Sequence, residues 1–166
     1  IDLEHLCREI AGLKDAGIPF SPDHLVISSR ASICMPYHVL LDSLEEARLG
    51  KKKFGSTLRG ISPSYADRYM KKALRMGDLL HPDTLKEKVE DITEWKNLTV
   101  EKGYGWSPVM ADAMLKWLEE YGTPLLPFIR DTTEFLGDAV EKGKSILFEA
   151  QLGALRELDY GIYPYT

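Results

Sequence analysis

Between Gly55 and Asp78 the chain reads GSTLRGISPSYADRYMKKALRMGD, and few backbone paths accommodate such a run. It opens on Gly55-Ser56-Thr57, turns at Gly60 and meets Ser62-Pro63. That pair is a hydroxyl cap followed by a proline at the first helical position, where its missing N–H costs nothing. The spacing predicts a loop, then a helix running to the stop at Gly77. At about 100° per residue, Tyr65, Tyr69, Ala73 and Met76 share one side of that helix. Arg68, Lys71, Lys72 and Arg75 form a stripe on the flank beside it. Small donors next to a helix N-terminus, with positive charge nearby, suit a phosphate. A solvated basic face has the same spacing.

Charge sharpens the choice of ligand. Residues 50–76 hold eight Lys or Arg against one acid, Asp67, a local charge of +7 in a chain whose net charge is −5. A concentrated positive field in an acidic protein points to a small anionic ligand and away from general nucleic-acid affinity. At 166 residues and 44% hydrophobic, the chain can build one ordinary core. Cys7 and Cys34 have neither disulfide-framework nor metal spacing, so they read as small core hydrophobes in a reducing, cytoplasmic setting. No apolar run reaches the ~20 residues of a membrane span, and no signal peptide is visible. Ile1 in place of Met, helical periodicity from the start and a strand-and-turn pattern still running at Thr166 are what a piece of a longer chain would show.

In chain order, Leu3, Leu6, Cys7, Ile10 and Leu13 give a helical stripe ending at Gly17. His24–Ser28 is a short strand-like run, and Ser28-Ser29-Arg30 after it lies where α/β proteins often line a site, although a loop arginine is more commonly a surface group. Pro36 starts a second helix, with Tyr37, Leu40, Leu41, Leu44 and Ala47 inward and Glu45, Glu46 and Arg48 outward. After the central stretch, His81-Pro82 opens a helix carrying Leu85, Val89, Ile92 and Trp95. Asn97-Leu98-Thr99 matches a glycosylation sequon, taken as chance because nothing else implies secretion. Ser107-Pro108 caps a helix with a Met110, Ala113, Met114, Trp117, Leu118 and Tyr121 stripe, a core face or, second, a subunit interface. Thr123–Arg130, with two prolines, should be extended or irregular. Asp131 and Glu134 read as a capping box for a helix ending at Gly143. Ser145–Phe148 reads as a short buried strand, with Glu149 and Gln151 at its carboxyl end.

His5, His24, His38 and His81 have no metal spacing. His38 reads as a structural histidine more than a base. There is no phosphate-loop lysine motif, no nucleophile elbow and no carboxylate pair, so residues alone show a binding surface without catalytic machinery.

Two stretches resemble the adenylosuccinate synthetase family. Its internal signatures run approximately Gly-Thr-Thr-x-Arg-Gly-Ile-Gly-Pro-x-Tyr-x-Asp-Lys, and Phe-Glu-Gly-Ala-Gln-Gly followed by Asp-x-x-x-Tyr-Pro. Here they stand as GSTLRGISPSYADRYMKKALRMGDLL and FEAQLGALRELDYGIYPYT, and SSRASICMPYHVLLDSLEEARLG is similar to the segment before the first. Order and spacing agree from about Leu3 to Thr166, least well between Pro82 and Leu126.

The resemblance implies an α/β fold: a mostly helical fragment whose two strands, near residues 25 and 146, belong to the larger mixed or parallel sheet of a P-loop-like nucleotide-binding fold. The helical subdomain would span about 62–143, with sheet-associated parts at about 1–50 and 144–166 of this single segment. The family joins IMP and L-aspartate at the expense of GTP, with Mg2+, to give adenylosuccinate, GDP and phosphate. Within it Thr57 would contact IMP, and Lys71, where the family usually has arginine, would reach the IMP phosphate of the other subunit of a homodimer. Lys72 or Arg75 could take that role. Gln151 and Thr166 would also touch IMP, each one place earlier than in the family pattern. The family's glycine-rich phosphate loop, catalytic aspartate and histidine, aspartate-binding loop and guanine-recognition segment have no counterpart here, so GTP and Mg2+ would bind elsewhere in the parent chain. These 166 residues are expected to be inactive alone and to hold neither catalytic nor metal residues. The alternative is a non-catalytic helical module for anion binding or assembly.

Overall fold

The computed structural model describes residues 1–149 and 153–166. Helix α1 (Leu3–Asp15) starts where the Asp2 side chain accepts the His5 N–H at 3.0 Å and stops just before Gly17. Strand β1 (Ile27–Ser28) follows, and α2 (Pro36–Leu49) begins with proline at its first position. The central helix α3 spans Ile61–Tyr69, α4 spans Pro82–Asn97 and α5 spans Ala111–Gly122. Strand β2 (Ile129–Arg130) leads into α6 (Thr132–Glu141), capped by Asp131, which accepts the Thr133 N–H. A turn of π-helix after α4 and several short 3-10 turns join these elements.

β1 and β2 pair in parallel, Ile27 opposite Ile129 and Ser28 opposite Arg130. Two strands are therefore present, but the second is not Ser145–Phe148. That run forms no strand, and Leu147 and Phe148 are 95% and 77% exposed. An apolar run becomes a strand only where a neighbour supplies ladder hydrogen bonds. β1 likewise pairs with β2 in a two-stranded sheet and joins no larger one among the described residues.

The core gathers Leu3, Ile27, Tyr37, Met76, Leu118 and Leu125 among others, so α1 and α2 bury their apolar sides in the same interior as α4 and α5. The α5 stripe behaves as core only in its middle. Leu118 is buried, Met114, Trp117 and Tyr121 are half-buried, and Ala113 and Met110 face solvent. α5 also starts later than Ser107-Pro108 suggests. Asn97, the sequon residue, holds Val109 with both amide atoms, donating to its carbonyl at 2.9 Å and accepting its N–H at 2.8 Å, which ties the run before α5 to the end of α4.

The largest departure is α3, which is far shorter than the predicted run to Gly77. Gly60, not Ser62, caps it, in the left-handed conformation at φ 72°. A Cβ there would lie 2.7 Å from the His38 and Val39 backbone, so only glycine fits. At the far end Lys71 turns left-handed at φ 61°, the Lys72 N–H bonds the Asp67 carbonyl at 2.8 Å, and the Lys71 N–H bonds that of Arg68 at 3.2 Å. That is a Schellman stop with lysine in the usual glycine place. Residues 74–76 then run extended beside 31–33, with Ile33 N–H to Leu74 O at 2.8 Å and Met76 N–H to Ala31 O at 2.9 Å. Leu74 and Met76 go inward and Arg75 outward, the period of a strand rather than a helix.

Candidate functional site

The loop from Phe54 to Gly60 is held from below by α2. His38, Asp42 and Glu46 recur every fourth residue and so share one face of that helix. The Glu46 carboxylate accepts the N–H groups of Phe54 at 3.0 Å and Gly55 at 3.2 Å. Asp42 accepts the Gly60 N–H at 2.9 Å and the Ser56 hydroxyl at 2.8 Å, and the Ser56 oxygen takes the Leu58 N–H at 3.1 Å. Glu46 was expected to point outward; its carboxylate instead holds the loop's main chain at Phe54 and Gly55. Two of the N–H groups read as open to a phosphate are thus engaged. Thr57 stands between these anchors, exposed to solvent.

Beneath α3 lies a buried polar cluster with no counterpart in the sequence reading beyond the structural role of His38. Asp67, almost fully enclosed, accepts from His38 Nε2 at 2.8 Å and from the ammonium of Lys96. The His38 Nδ1 accepts the Met35 N–H at 2.9 Å, which leaves the ring's hydrogen on Nε2 and the imidazole neutral. Burial lowers the pKa of His38, and the adjacent Lys96 charge acts in the same direction. Burial likewise lowers that of Lys96 against the pull of Asp67. The Lys96 ammonium also sits 4.5 Å from the Trp95 ring centre. The Tyr37 hydroxyl next to the cluster is buried without a partner among the described residues, and desolvation pushes its pKa up.

The shortened α3 dismantles the four-residue basic stripe. Lys71 projects from the left-handed turn into solvent, and no ion pair among the described residues engages it. Lys72 lies over the Trp95 ring at 5.5 Å. Arg75 faces the other way, into an open cleft of about 560 Å³ at the carboxyl ends of β1 and β2, with Arg30 and Arg130. Arg30 is a tether there, donating to the Thr133 hydroxyl at 2.8 Å and pairing with Asp131 at 3.3 Å. Of the three basic candidates, Lys71 alone stands at a helix end and clear of other groups. Thr57 and Lys71 stand beyond opposite ends of a nine-residue helix, about 14 Å in length. Thr166 is half-buried at the end of an exposed tail, and Gln151 lies outside the described residues.

A glycine loop strapped to α2 enters a short helix over a buried polar clamp, in a mostly helical α/β chain. The adenylosuccinate synthetase family profile matches residues 1–166. Curated adenylosuccinate synthetases of Clostridium beijerinckii and Nostoc punctiforme are 39% and 41% identical over the whole chain, which covers 39% and 37% of their lengths. The structure of fully ligated adenylosuccinate synthetase from Plasmodium falciparum superposes with a TM-score of 0.85 at 25% identity, over 99% of this chain and 38% of that one. The chain belongs to the adenylosuccinate synthetase family, and it spans about two fifths of the length of the curated relatives it matches.

Proposed function

We propose that these residues are the central part of a cytoplasmic ligase that converts IMP, L-aspartate and GTP to adenylosuccinate, GDP and phosphate in purine (AMP) biosynthesis. Thr57, Gln151 and Thr166 contact IMP within one subunit, while Lys71 reaches the IMP phosphate bound by the other subunit of a homodimer. The observation that supports this reading is the placement of Thr57 and Lys71 at opposite ends of α3. A two-fold pair of chains can bring the Lys71 end of one α3 to the Thr57 end of the other. The exposed apolar side chains of Leu58, Ile61, Tyr65, Tyr69 and Met70 beside that helix have the chemistry of a subunit contact. In the wider fold we take most of 62–143 as the helical subdomain, with β2 inside it pairing with β1. No helix among the described residues is long and apolar enough to cross a membrane.

Among the described residues no three His, Cys, Asp or Glu side chains converge. Mg2+ and GTP are assigned to other segments of the full chain, and the fragment is inactive alone. The test mixes full-length Thr57→Ala and Lys71→Ala subunits, each of low activity by itself. A mixed dimer regains one intact site, so up to about a quarter of wild-type turnover returns for a two-fold dimer. Absence of recovery on mixing would refute the shared site, and absence of IMP-dependent turnover by the wild-type protein would refute the ligase reading.

A further inference from the structure

Burying a carboxylate, an ammonium and an imidazole together rarely stabilises a protein more than apolar side chains of similar volume would. The arrangement of this cluster shows what else it does. Each member comes from a different helix: His38 from α2, Asp67 from α3, Lys96 from α4. Asp67 is also the residue whose main-chain carbonyl accepts the Lys72 N–H and so closes the Lys71 turn. Its side chain is pinned to two helices and its backbone pins the turn. At the other end of α3, Gly60 rests against the backbone of His38, the same residue that donates to Asp67. One turn further along α2, Asp42 holds Gly60 and Ser56. Lys72 and Lys96 meet on one indole, Trp95, a second link between turn and clamp.

We propose that Asp67 is a positioning residue for IMP, its carboxylate locked by His38 and Lys96 so that the Lys71 turn and the Thr57 loop keep their places at the two ends of α3. This rests on the reading of Thr57 and Lys71 as IMP contacts. Asp67 touches no substrate; it acts through the two residues that do. Preorganised contacts lower the ordering cost of binding, and a loosened clamp restores that cost.

The test uses the full-length enzyme with Asp67→Asn, which keeps shape and one acceptor, and Asp67→Asn/Lys96→Met, which also removes the stranded ammonium. Val89→Ala, a cavity in the same helix as Lys96 but remote from this chain of bonds, serves as a comparably destabilised control. The expected result is an IMP KM raised at least about tenfold in both Asp67 variants, with GTP KM and kcat within about threefold, and wild-type KM values in Val89→Ala. The double variant regains thermal stability without regaining the IMP KM. A folded Asp67 variant with a wild-type IMP KM overturns the proposal, as does an equal rise in Val89→Ala. Hydrogen exchange on the wild-type protein keeps the idea falsifiable should both variants fail to fold. The Lys72 N–H should be as protected as the amides of α4, and exchange at the rate of a frayed helix end overturns the clamp. If wild-type enzyme shows no IMP-dependent turnover, the ligase reading fails while the exchange result still judges the clamp.

Discussion

Lys71→Gly should make the protein more stable and the enzyme worse. A non-glycine residue held left-handed, as Lys71 is at φ 61°, costs ~1–2 kcal/mol. Glycine removes that strain but gives back ~0.5–1 kcal/mol through the freer unfolded chain. The net gain is ~0.5–1 kcal/mol, which in the full-length protein, about 2.5 times this length, raises the midpoint of thermal unfolding by ~0.5–1 °C. The same change deletes the ammonium. A charged hydrogen bond to phosphate contributes ~1.5–3 kcal/mol, so IMP affinity should fall roughly 10- to 150-fold. Lys71→Ala separates the two effects, because it loses the charge and keeps the strain; its midpoint should stay below that of Lys71→Gly and within ~0.3 °C of wild type while its IMP affinity falls as far. Scanning calorimetry and IMP titration of the full-length protein read both quantities. A lower midpoint in Lys71→Gly than in Lys71→Ala would refute the left-handed turn. Unchanged IMP affinity in both would refute the role of the ammonium.

Gly60→Ala adds a Cβ 2.7 Å from main-chain atoms of α2 at a left-handed φ, and a loss above ~3 kcal/mol is expected from strain and overpacking together, read from the urea midpoint. Asp42→Ala strands the Gly60 N–H and frees the Ser56 hydroxyl, which should cost ~1.5–3 kcal/mol and speed amide exchange in residues 56–60. His38 contributes a pH dependence of definite sign. Its folded pKa lies below the usual imidazole value, so the unfolded chain binds the extra proton first, and stability falls as the pH drops below ~6.5. The urea midpoint should decline between pH 7 and 5.5 in the wild type and decline less in His38→Gln, which keeps an N–H for Asp67; equal slopes would show that His38 does not bury its neutral form.

Helices opening at Pro36, Pro82 and Asp131 were legible, since those residues stand at or beside observed starts, whereas α5 begins three residues after Pro108. α3 was not, because its stop uses lysine in place of glycine, and because Leu74-Arg75-Met76 is too short for its alternation to outweigh a continuous helical reading. β2 hid in a proline-rich stretch whose pairing depends on β1, far away in sequence. The basic stripe misled for the same reason as α3, since a face exists only while the helix does. His38, Asp42 and Glu46 at intervals of four carried a visible signal for a polar seam on α2. Asp67 and Lys96 carried none, since a charged residue on an amphipathic helix is read as solvated until tertiary packing encloses it.

The parallel pairing of Ile27 with Ile129 has a consequence for how the protein is made. About a hundred residues separate the two strands, and α1 packs against α5, which is also distant in sequence. At typical synthesis rates β1 leaves the ribosome on the order of 5–20 s before β2. Through that interval α2 and α3 can dock locally, while the β1–β2 and α1–α5 contacts wait for residues that do not yet exist. The nascent chain is most exposed to misassociation in that window, and the window closes only when Ile129 arrives.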